Sequence, residues 1–316
     1  MNLIIKNILP FILSVLCIFL TPTSWALENY DGELFKTDQP ISLYTATQEK
    51  KVGKNSIFWE IVDLDGRKHY LFGTIHTDDN RVSNFNSVVF DKLKEIDIFV
   101  METDEILDRS ILRVNPKVYE GYLSMEELEK INLLADFHTM PRESILSMKP
   151  WLLAVIFDSP RPITPFNQDN LLKSKAEDYM KVTQGLESPA EHFKALDSFL
   201  MDEQMLLLKA VLKKDLEQKE SSYESLVSAY LTFNAEHILK VDSELTKSLV
   251  SESIWKKMEL NFLINRNILF GKRIKNLIKG NKLFIAIGAS HLGGKTGLLN
   301  QFKEAGFKIK PMQGLD

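Results

Sequence analysis

Gly73-Thr74-Ile75-His76 and Gly288-Ala289-Ser290-His291 each put a histidine three residues after a glycine, at the end of an apolar run. The runs before them, Tyr70-Leu71-Phe72 and Phe284-Ile285-Ala286-Ile287, read as buried strands. A glycine after such a strand lets the backbone turn, so each imidazole arrives at a strand's C-terminal end. A third run, Ile96-Asp97-Ile98-Phe99-Val100-Met101-Glu102, delivers a carboxylate in the same way. Two imidazoles and a carboxylate at neighbouring strand ends make a donor set for a divalent metal, and strand ends are where open α/β sheets bind ligands. With 14 glycines and 6 histidines in 316 residues, roughly 0.3 Gly-x-x-His matches arise by chance, and three occur. The third, Gly66-Arg67-Lys68-His69, falls in an Asp65-Gly66 turn between two strand-like runs, a hairpin signature, and is set aside.

A carboxylate left unpaired after a buried strand is costly, so Glu102 needs a partner, and a cation is one. With His76 and His291 it would surround Mn²⁺, Co²⁺ or Zn²⁺, either as a ligand or as the general base that takes a proton from water. Asp78 and Asp79 follow His76 closely and are candidates for a fourth ligand, or simply for solvated loop acids. Gly73 and Gly288 are assigned to backbone geometry. His69, His138, His192 and His237 lack matching context and read as structural or surface residues. The run from Lys213 to Glu220 reads as a solvated helix face. No Gly-rich phosphate loop and no Gly-x-Ser-x-Gly nucleophile elbow occurs.

The elements that must position these residues frame the chain at both ends. Residues 1–26 read as a secretory signal, with Lys6, an apolar stretch from Ile8 to Leu20 and a Ser24-Trp25-Ala26 cleavage site. The stretch falls short of the ~20 residues a bilayer span needs. Export to the periplasm or beyond is therefore expected, without a permanent span. Cys17 would leave with the signal, so the mature chain has no thiolate for catalysis or for metal binding. Loss of Lys6 takes the net charge from −4 to −5, which argues against nucleic acid as a partner. Residues 27–55 read as an arm. A single α/β domain over 56–316 follows, with its sheet core in about 56–105 and 258–312 and a helical insert over about 106–257. Within it, Ser124-Met125-Glu126-Glu127 is a capping box, and Pro150 opens an almost wholly apolar helix. From Asn170 to about Ser253 the pattern is mostly helical, with Met201 and Met205 as core filler. Leu260, Leu263, Ile264, Ile268, Ile274 and Ile278 follow helical spacing up to a Gly280 cap. Phe307-Lys308-Ile309-Lys310 alternates as an edge strand.

Phe72-Gly73-Thr74-Ile75-His76, Val100-Met101-Glu102, Arg266, and Gly288-Ala289-Ser290-His291-Leu292-Gly293-Gly294 with Gly297-Leu298 together resemble the TraB/GumN/Tiki family of metal-dependent, peptidase-like proteins. Pro150-Trp151 and Gly185-Leu186-Glu187 are weaker echoes. The resemblance covers about Ile57 to Met312, and its specificity lies in the ordered set. It implies an EreA/ChaN-like fold: a central mixed β-sheet with a strand-end active site and a large helical middle region. It also implies a catalytic set of His76, Glu102, Arg266 and His291, with Arg266 stabilising an oxyanion or pairing with Glu102. The expected activity is metal-dependent cleavage of a peptide or protein substrate. Two alternatives stay open: a binding protein that sequesters a peptide or a haem or iron ligand, and a catalytically silent scaffold.

Overall fold

The computed structural model describes residues 55–103, 109–164 and 166–312. The expected signal, Cys17 and all of the arm except Asn55 lie outside the described residues. Six strands form one sheet: β1 (Phe58–Val62), β2 (Lys68–Thr74), β3 (Ile98–Thr103), β4 (Val182–Glu187), β5 (Leu283–Gly288) and β6 (Lys308–Pro311), in the order β4-β3-β5-β2-β1-β6. The expected hairpin forms, with β1 antiparallel to β2, Ile61 opposite His69, and Gly66 at φ 82° in the turn. β6 pairs with β1 as an edge strand, as its alternation predicts.

The remaining pairs are parallel: Thr74 lies beside Gly288, Val100 beside Ile285 and Thr103 beside Glu187. Parallel neighbours need crossovers, and helices supply them on both faces. One face packs Phe58, Tyr70, Phe72, Phe99 and Phe284 against helices Ser87–Lys94, Gln168–Asp178 and Leu216–Tyr230. The other packs Leu71, Val100, Ile285 and Ile287 against Asn265–Leu277 and Leu298–Glu304. Strands covered on both sides read as continuous apolar runs, which is why β5 was legible. A third core is purely helical and centres on Trp151, Leu153 and Phe157 of Pro150–Asp158 against Met205, Leu208 and Val211. The helix Met125–Phe137 starts at the expected capping box.

The middle region is mostly helical, as expected, and also contributes Val182–Glu187, which extends the sheet beside β3. The Val182–Glu187 segment lacks both alternation and an apolar run, since as an edge strand it is buried mainly at its end, at Leu186 and Glu187. Two expectations need correction. The helical phase over 260–278 shifts. A π-helical turn at Glu259–Ile264 precedes Asn265–Leu277, so Leu260 and Ile268 are exposed while Arg266 and Asn267 turn inward. Finally, Lys214 and Lys219 are not on a solvated face: Lys219 is buried, and the Lys214 ammonium donates to Asp158 Oδ1 at 2.7 Å in the helical core. Charge alone cannot reveal a buried partner 56 residues away.

Candidate functional site

The C-terminal ends of β2, β3, β4 and β5 lie on one edge of the sheet, and each contributes an ionisable side chain. His76 follows β2 by two residues. Its Nδ1 donates to Asp169 Oδ2 at 2.7 Å, and Thr74 Oγ1 donates to the other oxygen at 2.9 Å. Asp169 sits in the first turn of Gln168–Asp178, where the helix dipole favours a carboxylate. Next to it, Gln168 Oε1 accepts the Ile75 N–H at 2.8 Å, and the Tyr230 hydroxyl lies 2.7 Å from the Gly73 carbonyl oxygen. These contacts hold the segment from Gly73 to His76 at both its backbone and its ring.

Glu102 lies on β3. Its Oε1 accepts the Gly288 N–H at 2.8 Å and its Oε2 accepts Arg266 Nη2 at 2.6 Å. Arg266 also donates through Nε, at 3.0 Å, and through Nη2, at 2.5 Å, to Glu187 Oε1 at the end of β4. His192 Nδ1 donates to the same oxygen at 2.7 Å. His291 Nδ1 lies 2.6 Å from Asn267 Oδ1, and its Nε2 lies 3.3 Å from Arg266 Nη1. A guanidinium can only donate, so the Nε2 of His291 carries the lone pair and its Nδ1 carries the hydrogen. Phe270 closes one side, its ring 5.3 Å from that of His291 and 5.0 Å from the Arg266 guanidinium carbon.

The electrostatics follow from burial and pairing. Burial alone would raise the Glu102 pKa, but the Arg266 guanidinium, helped by the Gly288 N–H, holds it well below the usual carboxylate range. Glu187 is likewise lowered against its burial by Arg266 and His192. Burial pushes the His291 imidazole down to about 4, with Glu102 opposing and Arg266 reinforcing the shift, so it is neutral at physiological pH. Asp242, on the helix Ala235–Lys247, accepts a hydrogen bond from Ser290 Oγ; burial raises its pKa to about 7 despite that bond and despite His76. Glu102 and Glu187 are thus buried on one guanidinium, that of Arg266, while the buried carboxylates of Asp169 and Asp242 are held by His76 and Ser290.

Of the sequence set, Glu102, Arg266 and His291 are in direct contact, and His76 stands after the neighbouring strand β2 with its ring held by Asp169. Of the two roles for Arg266, it has the pairing with Glu102. Asp78 and Asp79 do not join the site. Asp78 Oδ2 accepts the backbone N–H groups of Ile163, at 2.7 Å, and Thr164, at 2.5 Å, while Asp79 caps a short helix and pairs with Arg81. Acids so close to His76 in sequence are carried past the strand end before they can turn inward. The motif glycines do more than turn. Gly288 has φ −50°, which any residue adopts, and its N–H is a ligand of Glu102. At Gly73 a Cβ would meet Ala289 Cα at 3.0 Å, so close approach requires the glycine.

Glu187, His192, Asp169, Asp242 and Asn267 were not singled out from sequence as site residues. Glu187 had a signal, for it ends β4 one residue later than Glu102 falls in the paired β3. Asp242 had one too: an acid within the inward stripe Ala235, Ile238, Asp242, Leu245. Asp169 and Asn267 had none.

The donors suit a divalent cation in kind. His291 presents Nε2, Asp169 orients His76 through Nδ1 as carboxylates do for metal-bound imidazoles, and Glu102 is ionised. At this edge Asp242 Oδ1 and Asn267 Nδ2 are buried without a hydrogen-bond partner among the described residues. No three His, Asp or Glu side chains among those residues converge as a ligand cage; the Arg266 guanidinium lies between Glu102, Glu187 and His291. No curated protein matches the chain. The profile of the TraB/PrgY/gumN family does match, over residues 57–311. That span holds every strand and every residue of the strand-end cluster, and the chain belongs to the TraB/PrgY/gumN family.

Proposed function

We propose that this protein is an exported, divalent-metal-dependent hydrolase that cleaves peptide bonds with His76, Glu102, Arg266 and His291. The observation that carries this reading is the matched orientation of the two histidines. Each has its Nδ1 occupied by an oxygen acceptor, Asp169 for one and Asn267 for the other. For His291 this leaves Nε2, the ligating nitrogen, facing Glu102 and Arg266. His76, His291 and Glu102 would hold the cation, which supplies Lewis acidity to polarise a carbonyl and acidify water. Glu102, kept ionised by Arg266, is available as a ligand or as the proton acceptor. Arg266, anchored on Glu187, offers a fixed positive charge for an oxyanion. Export rests on the signal-like residues 1–26; no helix among the described residues is long and apolar enough to cross a membrane.

A second reading, sequestration of a peptide or of a haem or iron ligand without turnover, draws on the 3.3 Å contact between Arg266 Nη1 and His291 Nε2. That contact occupies the lone pair a cation would use. Elemental analysis of purified wild type beside His76→Ala and His291→Ala, run with a peptide-library digestion, separates the two. About one equivalent of Mn, Co or Zn in wild type, lost in both variants, and cleavage abolished by chelator and restored by metal, support the hydrolase. Retention of metal by His291→Ala refutes the assignment, and a Soret band on haem addition without any cleavage replaces it with the binding protein.

A further inference from the structure

Asp242 has no role in the set assigned above, yet it is buried at the same edge. The helix Ala235–Lys247 packs on the short 3-10 turn Ala289–His291, and its carboxylate reaches Ser290, the residue before the second motif histidine. Its Oδ2 accepts from the Ser290 hydroxyl, whereas Oδ1 has no partner among the described residues. Ser290 directly precedes His291, so the carboxylate lies beside the second motif. Buried polar atoms are almost always satisfied, and a protonated Oδ1–H would be as unsatisfied here as a bare oxygen. Adding a proton therefore leaves Oδ1 unpartnered, whereas a positive centre beside His291 would satisfy it.

Building on the metal reading above, we propose that Asp242 is a fourth protein donor to the cation held by His76, Glu102 and His291, in the place that Asp78 and Asp79 fail to fill. Ser290 is then a positioning residue that orients the carboxylate through Oδ2 and leaves Oδ1 for the metal. The motif serine and histidine act as a unit, one presenting Asp242 and the other presenting an imidazole. The donor set becomes two nitrogens and two carboxylates, which suits Mn²⁺, Co²⁺ or Zn²⁺.

The test is titration of Co²⁺ into chelator-stripped protein, read by calorimetry and by the visible absorption of the ion. Wild type is compared with Asp242→Asn, Asp242→Glu, Ser290→Ala and His76→Ala, with circular dichroism confirming the fold of each. Asp242→Asn is expected to weaken binding by on the order of 100-fold and to change the absorption spectrum as an anionic donor is lost. Asp242→Glu should keep binding with a shifted spectrum, which also covers the case in which the asparagine variant does not fold. Ser290→Ala should weaken binding by on the order of 10-fold with little spectral change. If Asp242→Asn binds Co²⁺ with unaltered affinity and spectrum while His76→Ala does not bind, Asp242 is merely a buried acid and the metal site stands without it. If wild type itself takes up no Co²⁺, both readings fall.

Discussion

Two groups of buried charges can be set side by side. At the strand ends, the buried carboxylates of Glu102 and Glu187 share the single guanidinium of Arg266, with Asp169 on His76 and Asp242 on Ser290 close by in the fold. In the helical core, Asp158 lies between Lys214, at 2.7 Å, and Lys219, with His138 nearby. The first is short of positive charge and the second has it in excess. Burial, and then Lys214, bring Lys219 down to about 8, and burial together with Lys219 and Arg161 brings His138 down to about 4. A divalent cation would ease the first group and worsen the second. Buried charge is thus no signature of a metal site by itself; its sign and the orientation of the imidazoles decide.

The strongest way to break this contrast is to remove the central cation of each group. Arg266→Met leaves Glu102 and Glu187 buried without their partner and should cost about 3–5 kcal/mol. Lys214→Met should cost less, about 1–3 kcal/mol, because burial already raises the Asp158 pKa and the acid can take up a proton. Urea midpoints measure both, and equal losses would erase the distinction.

A smaller effect separates the groups by metal. At a hundredfold excess over its dissociation constant, Mn²⁺ should stabilise wild type by about 2.7 kcal/mol. His138→Ala should respond equally and His76→Ala should not, as read by thermal unfolding. A response in His76→Ala would move the cation elsewhere.

Acid should affect both groups in the same direction. A histidine whose native pKa lies near 4 instead of 6.5 stays neutral while the unfolded chain binds a proton. The associated stability is present in full above about pH 6.5 and is lost as the pH falls toward 4. For His291 in the metal-free protein the loss is on the order of 3 kcal/mol. Urea midpoints taken across this range should flatten in His291→Gln, and added Mn²⁺ should steepen the acid loss of wild type, since protons displace the ion. An unaltered slope in His291→Gln would show that the imidazole is already charged in the native state.

The smallest expected change is in Asp78→Asn. It alters a loop contact to Ile163 and Thr164 and should leave peptide cleavage within about twofold, since a surface substitution away from the site changes stability by less than about 0.5 kcal/mol. A large loss of turnover would return Asp78 to the centre.

What was legible in the sequence was what repeats locally. The hairpin turn at Gly66, the capping box at Ser124, the buried runs of β2, β3 and β5 and the Gly-x-x-His motifs are all encoded in adjacent residues, because strand burial and capping act over a few positions. β4 was passed over because an edge strand with one burying end carries no period. The helix bearing Arg266 was read in the wrong phase, because a π turn adds a residue per turn and because apolar templates pass over polar residues buried by pairing.

The amino-acid order alone therefore determined the family, the α/β sheet and which histidines and glutamate stand at strand ends. Tertiary structure decided what surrounds them: Asp169 comes to His76 across 93 residues, Glu187 to Arg266 across 79 and Asp242 to Ser290 across 48. No local pattern specifies such partners. The cost of burying an unpaired charge does, and it acts only when the chain closes around it.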